Sequence, residues 1–248
     1  MTAIPQGRMR RAALVTAMCA LVVSGMGLTG CSEDPDEGTN GVGKLPAAEI
    51  QRKSRTAAVS AEAVHIAGNV VTSGRTYKLD MQLKADGATG SVTAQGSTFQ
   101  LLRIGEQLFL KADAGFWSDA GNDGKADAAA VDKLNGKFVK VPQGDPAYKK
   151  FSGFTDKGVL IDGLLTLHGK LATDGRHEQA GVRTIRITGD KGSGGTLDVS
   201  LEGTPYPLLL TRAGGAGTLT FSAWGEDFAL EKPSKGETVD YGKQLPTS

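Results

Sequence analysis

The sequence is short of the side chains on which most site chemistry depends. Its 248 residues hold two cysteines, three histidines and two tryptophans, and aromatics make up only 6%. His65, His168 and His177 stand far apart and lack the spacing of metal ligands. No serine sits in a Gly-x-Ser-x-Gly elbow. The glycine-rich runs lack the Gly-Lys-Ser/Thr that closes a phosphate loop. The stretch from Asp119 to Lys125 opens like a calcium loop. Gly121 then stands where the third-position oxygen ligand is needed, and Ala130 where the closing glutamate is needed. No catalytic residue, metal site or cofactor is therefore expected, and the chain is read as a non-enzyme. A one-signed charge is missing too. The 28 basic residues are balanced by 27 acidic ones, which excludes the basic face of a nucleic-acid binder.

The first thirty residues have a character of their own. Arg8, Arg10 and Arg11 precede an apolar run from Ala12 to Met26, and Leu28-Thr29-Gly30-Cys31 ends it. A basic segment, an apolar core and then small residues form an export signal rather than part of a mature fold. The core is shorter than the roughly 20 apolar residues of a permanent span. The pair Arg10-Arg11 is compatible with twin-arginine export, but its flanks favour the general secretory route. The last four residues resemble the lipobox of bacterial lipoproteins. That resemblance implies diacylglycerol transfer to the Cys31 thiol, cleavage between Gly30 and Cys31, and anchoring by acyl chains such as palmitate. Two chains anchor stably where one binds only reversibly, at about 0.8 kcal/mol per buried CH₂. The expected location is the extracytoplasmic face of the plasma membrane.

Removing residues 1–30 takes away three basic residues and no acidic ones, leaving 218 residues with 25 basic against 27 acidic. Cys19 leaves with the signal, so Cys31 is the only thiol of the expected mature chain and no disulfide is available. Residues 31–45 are acidic, rich in glycine and poor in apolar side chains. They are expected to be a disordered tether of roughly 20 Å.

The rest divides by periodicity. Pro46 to Ala61 is expected to be a helix, with Ala47, Ile50, Ala57 and Ala58 on one side and Arg52, Lys53 and Arg55 outside. Tyr77, Leu79, Met81 and Leu83 alternate strictly with Lys78, Asp80, Gln82 and Lys84, the pattern of a half-buried strand. Further strands are expected over 64–72, 90–95, 99–104, 107–112 and 138–141. A later series is expected over 170–178, 182–188, 195–202, 208–212, 217–223 and 227–231. Short helices are expected over 126–134, 145–154 and 158–167. The last of these carries Val159, Leu160, Ile161, Leu164, Leu165 and Leu167 and is apolar on most sides, which requires burial. Residues 233–248 read as a polar C-terminal tail. Meanders of strands separated by helices make an α+β layer arrangement, a curved antiparallel sheet with helices on one face.

Four passages carry a wider resemblance: Ser54 to Gly68, Leu101 to Lys111 with Phe116-Trp117, Gly181 to Gly189, and Pro205 to Leu210. Together they resemble the LppX/LprA/LprF/LprG group of actinobacterial lipoproteins, related in fold to the LolA/LolB carriers, over residues 46–232. The resemblance implies a half-open β-barrel with helices on its concave side and an apolar cavity for the acyl chains of lipids or lipoglycans. Candidate cavity residues are Tyr77, Leu79, Met81, Leu83, Val159, Leu160, Leu164 and Leu167. Ordinary core packing asks for the same side chains. The helix carrying Val159 to Leu167 is either a fixed plug or a movable lid. Trp117 either caps the barrel mouth or sits at the membrane surface. The leading expectation is a monomeric, lipid-anchored carrier with a lipid ligand. The alternatives are an interaction or sensor module docking a membrane partner and, last, a hydrolase with an unrecognised site.

Overall fold

A computed structural model describes residues 36–120 and 128–240. The export signal, Gly30 and Cys31, residues 121–127 and the last eight residues of the tail lie outside them. None of the described helices is long and apolar enough to cross a membrane.

Twelve strands form one sheet. The first meander runs β1 Ala63–Thr72, β2 Arg75–Lys84, β3 Gly87–Ala94, β4 Ser97–Ile104, β5 Gln107–Ala112 and β6 Phe138–Val141. The second runs β7 Leu171–Gln179, β8 Val182–Gly189, β9 Thr196–Ser200, β10 Pro207–Thr211 and β11 Thr218–Ser222, and β12 is Thr238–Asp240. Their spatial order is β12-β6-β5-β4-β3-β2-β1-β11-β10-β9-β8-β7. The two meanders therefore join where β11 lies antiparallel to β1, and the sheet is not closed on itself.

The sheet is mixed rather than wholly antiparallel, because β12 pairs parallel with β6. The expected strand over 227–231 is absent. That segment instead lies across the outer face of β2 and β3. The Lys84 amine there donates to the Asp227 carboxylate at 2.8 Å and to the Phe228 carbonyl at 2.9 Å, while Leu230 packs beside Gly87. Side-chain anchors thus replace ladder bonds, and they deliver the chain to β6, where the Phe138 N–H donates to the Glu237 carbonyl at 2.8 Å. Part of the expected polar tail is consequently a structural strap.

The inner face follows the alternation in the sequence. Val64, Ile66 and Val70 of β1 stand beside Leu83, Met81 and Tyr77 of β2, and Ala88, Val92 and Ala94 of β3 continue the rows. Leu79, Met81 and Leu83 are fully buried, worth about 2 kcal/mol each in burial. Two glycines let the strands approach at these rows. A Cβ on Gly90 would lie 2.8 Å from the Met81 sulfur and 2.2 Å from the Asp80 carbonyl. At the seam, Gly68 has φ 137°, and its Cβ would lie 2.2 Å from the Thr218 carbonyl. Only glycine fits there without displacing the neighbouring backbone.

Among the described residues the α-helices are α1 Ala47–Ser60, α2 Ala114–Ala120, α3 Ala128–Leu134, α4 Pro146–Thr155 and α5 Lys157–Leu164. α1 packs on β7, β8 and β10, and α4 packs on β2, β3 and β4. Pro46 is the N-cap of α1 rather than its first helical residue. The buried side of α1 is Ala47, Ile50, Ser54 and Ala58, three small side chains that let the helix sit close to the sheet and one larger one, Ile50, that is fully buried.

The expected disordered tether is ordered over its described part. Val42 is only 3% exposed and joins the core. The Asn40 side-chain amide donates to the carbonyls of Ser200 and Gly203 at 3.0 Å each, and its oxygen accepts from the Val42 N–H at 3.1 Å. Arg176 pairs with Asp36, and Arg183 donates to the carbonyls of Glu37 and Gly38. The polar residues that suggested disorder are satisfied by strand ends, which composition does not foresee.

Candidate functional site

The functional candidate is an opening between the sheet and α4. It is about 400 Å³ in volume and is lined by Arg75 and Tyr77 of β2, Ala94, Gln95, Ser97 and Phe99 around the β3–β4 turn, Leu110 of β5, Phe116 of α2, and Ala147, Lys150, Phe151 and Phe154 of α4. That volume lies in the range of small-molecule sites, about 300–1,000 Å³. Its walls are aromatic. Tyr77 meets Phe154 with ring centroids 5.5 Å apart, while Phe99 contacts Phe116 at 5.3 Å and Phe151 at 5.4 Å. Tilted and edge-on arrangements are the ones aromatic rings prefer, and such pairs add about 1 kcal/mol beyond their burial. Behind them Trp117 is edge-on to Phe116 at 5.2 Å and only 1% exposed. It is a buried wall residue, not a ring at a membrane surface, and its indole N–H is among the buried groups without a hydrogen-bond partner.

Local chemistry holds α4 and α5 in place. The Asp145 carboxylate caps α4 by accepting from the Ala147 N–H at 2.7 Å, and that of Asp156 caps α5 by accepting from the Val159 N–H at 3.0 Å. At the elbow between them, the Arg103 guanidinium reaches up from β4 and donates to the Thr155 carbonyl at 3.0 Å. A cation is favoured at the carbonyl end of a helix. The buried Lys157 amine does the same for α1, donating to the carbonyls of Val59, at 2.7 Å, and Ala61. Loss of water around that amine pushes its pKa below the ordinary lysine range. Held at its start by these contacts and just past its end by the Leu167 N–H, which donates to the Gln51 side chain at 3.2 Å, α5 is a plug in this conformation. It is not buried on most sides: Ile161 and Leu164 face inward, whereas Val159 is 60% exposed and Leu160 is half-buried.

The eight expected cavity residues therefore separate. Tyr77 lines the cleft. Leu79, Met81 and Leu83 lie in packed core beneath the helices. Leu164 and Leu167 border a smaller opening of about 140 Å³ with His168, Leu210 and Arg212. The rings that make the cleft, Phe99, Phe116, Phe151 and Phe154, were not among the expected residues. Their only signal in the sequence is scarcity: of two tryptophans, four tyrosines and eight phenylalanines, five rings line one opening.

A second constellation is polar. On the outer face, the two ring nitrogens of His65 lie 2.7 Å from the Asp80 carboxylate and 3.3 Å from the Ser222 hydroxyl. This is the residue set of a hydrolytic triad. The three are neighbours on β2, β1 and β11 of an open ladder, however, and none lines the cleft. They read as a cross-strand hydrogen-bond row. Among the described residues, no cluster of histidine, cysteine and carboxylate side chains is suited to a metal ion.

By sequence, no family model and no curated protein matches the chain. By structure, LprF from Mycobacterium bovis superposes with a TM-score of 0.51 at 15% identity, covering 76% of this chain and 99% of LprF. The chain has the LprF fold. The Mycobacterium tuberculosis lipoprotein LppX gives a TM-score of 0.46 at 19% identity, covering 74% of this chain and 97% of LppX. LprF is a member of the group that the four sequence passages resemble, so pattern and coordinates lead to one fold. In the LprF-like framework, the aromatic cleft lies between the sheet and the helix layer.

Proposed function

We propose that this protein is a lipoprotein, anchored through Cys31 at the outer face of the plasma membrane, that binds or carries a lipid or lipoglycan by taking apolar chain into the aromatic cleft. The observation that carries this reading is the convergence of Tyr77, Phe99, Phe116, Phe151 and Phe154 on an opening between sheet and helices, in an LprF-like fold. Binding is by burial, at roughly 25 cal/mol per Å² of apolar surface, and needs no covalent step. For Leu79, Met81 and Leu83 to meet an acyl chain, α4 and α5 must first lift from the sheet. Leu164, at the end of α5, and Leu167 beyond it stand at the second, smaller opening, with Val159 and Leu160 on the outer side of α5.

Organic extraction of the purified protein followed by mass spectrometry is the direct test. A co-purifying lipid is expected. Its absence, together with no uptake of a fluorescent fatty acid, would sink the reading. The anchor is tested separately: Cys31→Ala is expected to abolish labelling by radioactive palmitate, and persistent labelling would refute the assignment of Cys31.

One observation favours a second reading, an interaction or sensor module that docks a membrane partner. Leu79, Met81 and Leu83 are packed solidly, as a docking scaffold requires. Crosslinking in cells that captures a stoichiometric membrane protein, with no lipid in the extract, would favour it.

A further inference from the structure

The rim of the cleft differs chemically from its walls. Arg75, beside the β1–β2 turn, and Lys150, on α4, are both exposed at the opening, with Gln95 and Ser97 between the strands they face. None of the twelve lining residues is acidic. Several cations elsewhere on this domain are neutralised, Arg55 by Asp162, Lys84 by Asp227, Arg176 by Asp36, Arg183 by Glu202 and Arg186 by Asp198. Among the described residues, the Arg75 guanidinium has no hydrogen-bond or ion-pair partner. The Lys150 ammonium has only the face of Phe151, 6.0 Å from the ring centroid. Two cations without counter-charges thus stand on the rim of the same aromatic-lined opening.

Resting on the lipid-binding reading, we propose that the cleft selects an amphiphile with an anionic head, its chain lying on the aromatic walls and its carboxylate or phosphate held by Arg75 and Lys150. A guanidinium offers paired donors to either oxyanion, and an ammonium adds a point charge. The amide of Gln95 and the hydroxyl of Ser97 stand at the same rim to complete the head's hydrogen bonds. The cleft's size suits one chain rather than several, so a single-chain lipid is the class it takes as described.

The test uses the protein's own fluorescence. Trp224 stacks on Tyr206 at 4.6 Å, away from the cleft, so Trp224→Phe leaves Trp117, behind Phe116, as the reporter. The full chain in nanodiscs of neutral phosphatidylcholine is titrated with dibromostearate, its uncharged methyl ester and brominated lysophosphatidate. Both anions are expected to quench Trp117 more tightly than the ester. In Arg75→Glu/Lys150→Glu, anion binding is expected to weaken about tenfold, the size of one charge-assisted hydrogen bond lost, with ester binding unchanged. The milder Arg75→Gln/Lys150→Gln is expected to show a smaller loss of the same sign. Tighter binding of one anion than the other identifies the head as carboxylate or phosphate. Equal affinity for ester and anions, with no effect of charge reversal, overturns the headgroup assignment and leaves the carrier standing. No quenching by any of the three lipids overturns both.

Discussion

The β1–β6 and β7–β11 meanders are built alike, from consecutive antiparallel strands, yet they meet their helices with different side chains. The second presents Ile185, Ile187, Leu197, Val199 and Leu210 towards α1, whose facing side is Ala47, Ile50, Ser54 and Ala58. Branched aliphatic chains pack closely there and leave only the smaller opening of about 140 Å³ beside Leu210. The first presents Tyr77 and Phe99 towards Phe151 and Phe154 of α4, with Phe116 alongside. These rings line the opening of about 400 Å³. One half of the molecule thus serves as scaffold and the other as receptor, and the division follows from side-chain shape on a common backbone plan.

Several changes break or sharpen this contrast. The most severe is at the seam that holds the halves together. Gly68→Val forces a branched side chain into a left-handed backbone against the Thr218 carbonyl. A loss on the order of 3 kcal/mol or more is expected from strain and overpacking combined, read as a lower urea midpoint. Next comes a paired comparison. Ile50→Ala removes a fully buried side chain from the closed half and is expected to cost about 3 kcal/mol. Phe154→Ala, at the half-buried edge of the open half, is expected to cost about 1–2 kcal/mol, because part of the ring is already exposed to solvent, but to impair uptake of a fluorescent fatty acid. Equal stability losses with unchanged uptake would erase the contrast.

The smallest effect concerns the plug. In the folded protein, desolvation lowers the pKa of Lys157 from its ordinary 10.5. The unfolded chain then binds more protons just below pH 10.5, so this residue's contribution makes stability rise with pH across that alkaline window. Lys157→Met is expected to flatten the rise of the urea midpoint with pH across that window.

Much of the framework is legible in the residues. The alternation from Tyr77 to Leu83 fixes which face of β2 is buried, and the turn-forming glycines mark the hairpins. What escapes is whatever depends on distant partners. Asn40 looks like part of a disordered stretch until the carbonyls of Ser200 and Gly203 are seen to satisfy it. Residues 227–231 alternate like a strand, yet Lys84 draws them across the sheet instead. The cleft is of the same kind. Its rings are separated by up to 77 positions along the chain, from Tyr77 to Phe154, and no local pattern links them.

The pairing of β1 with β11 also bears on how quickly the molecule assembles. Each hairpin closes over a handful of residues, within microseconds, but His65 and Ser222 meet across 157 positions. Non-local pairings of this kind slow folding, because the long loop must close before its contacts repay the lost entropy. During synthesis or export, β1 therefore waits with one edge unpaired until almost the whole chain has arrived. The first meander can form early, but the sheet becomes continuous only near the end, which makes seam closure the expected rate-limiting step.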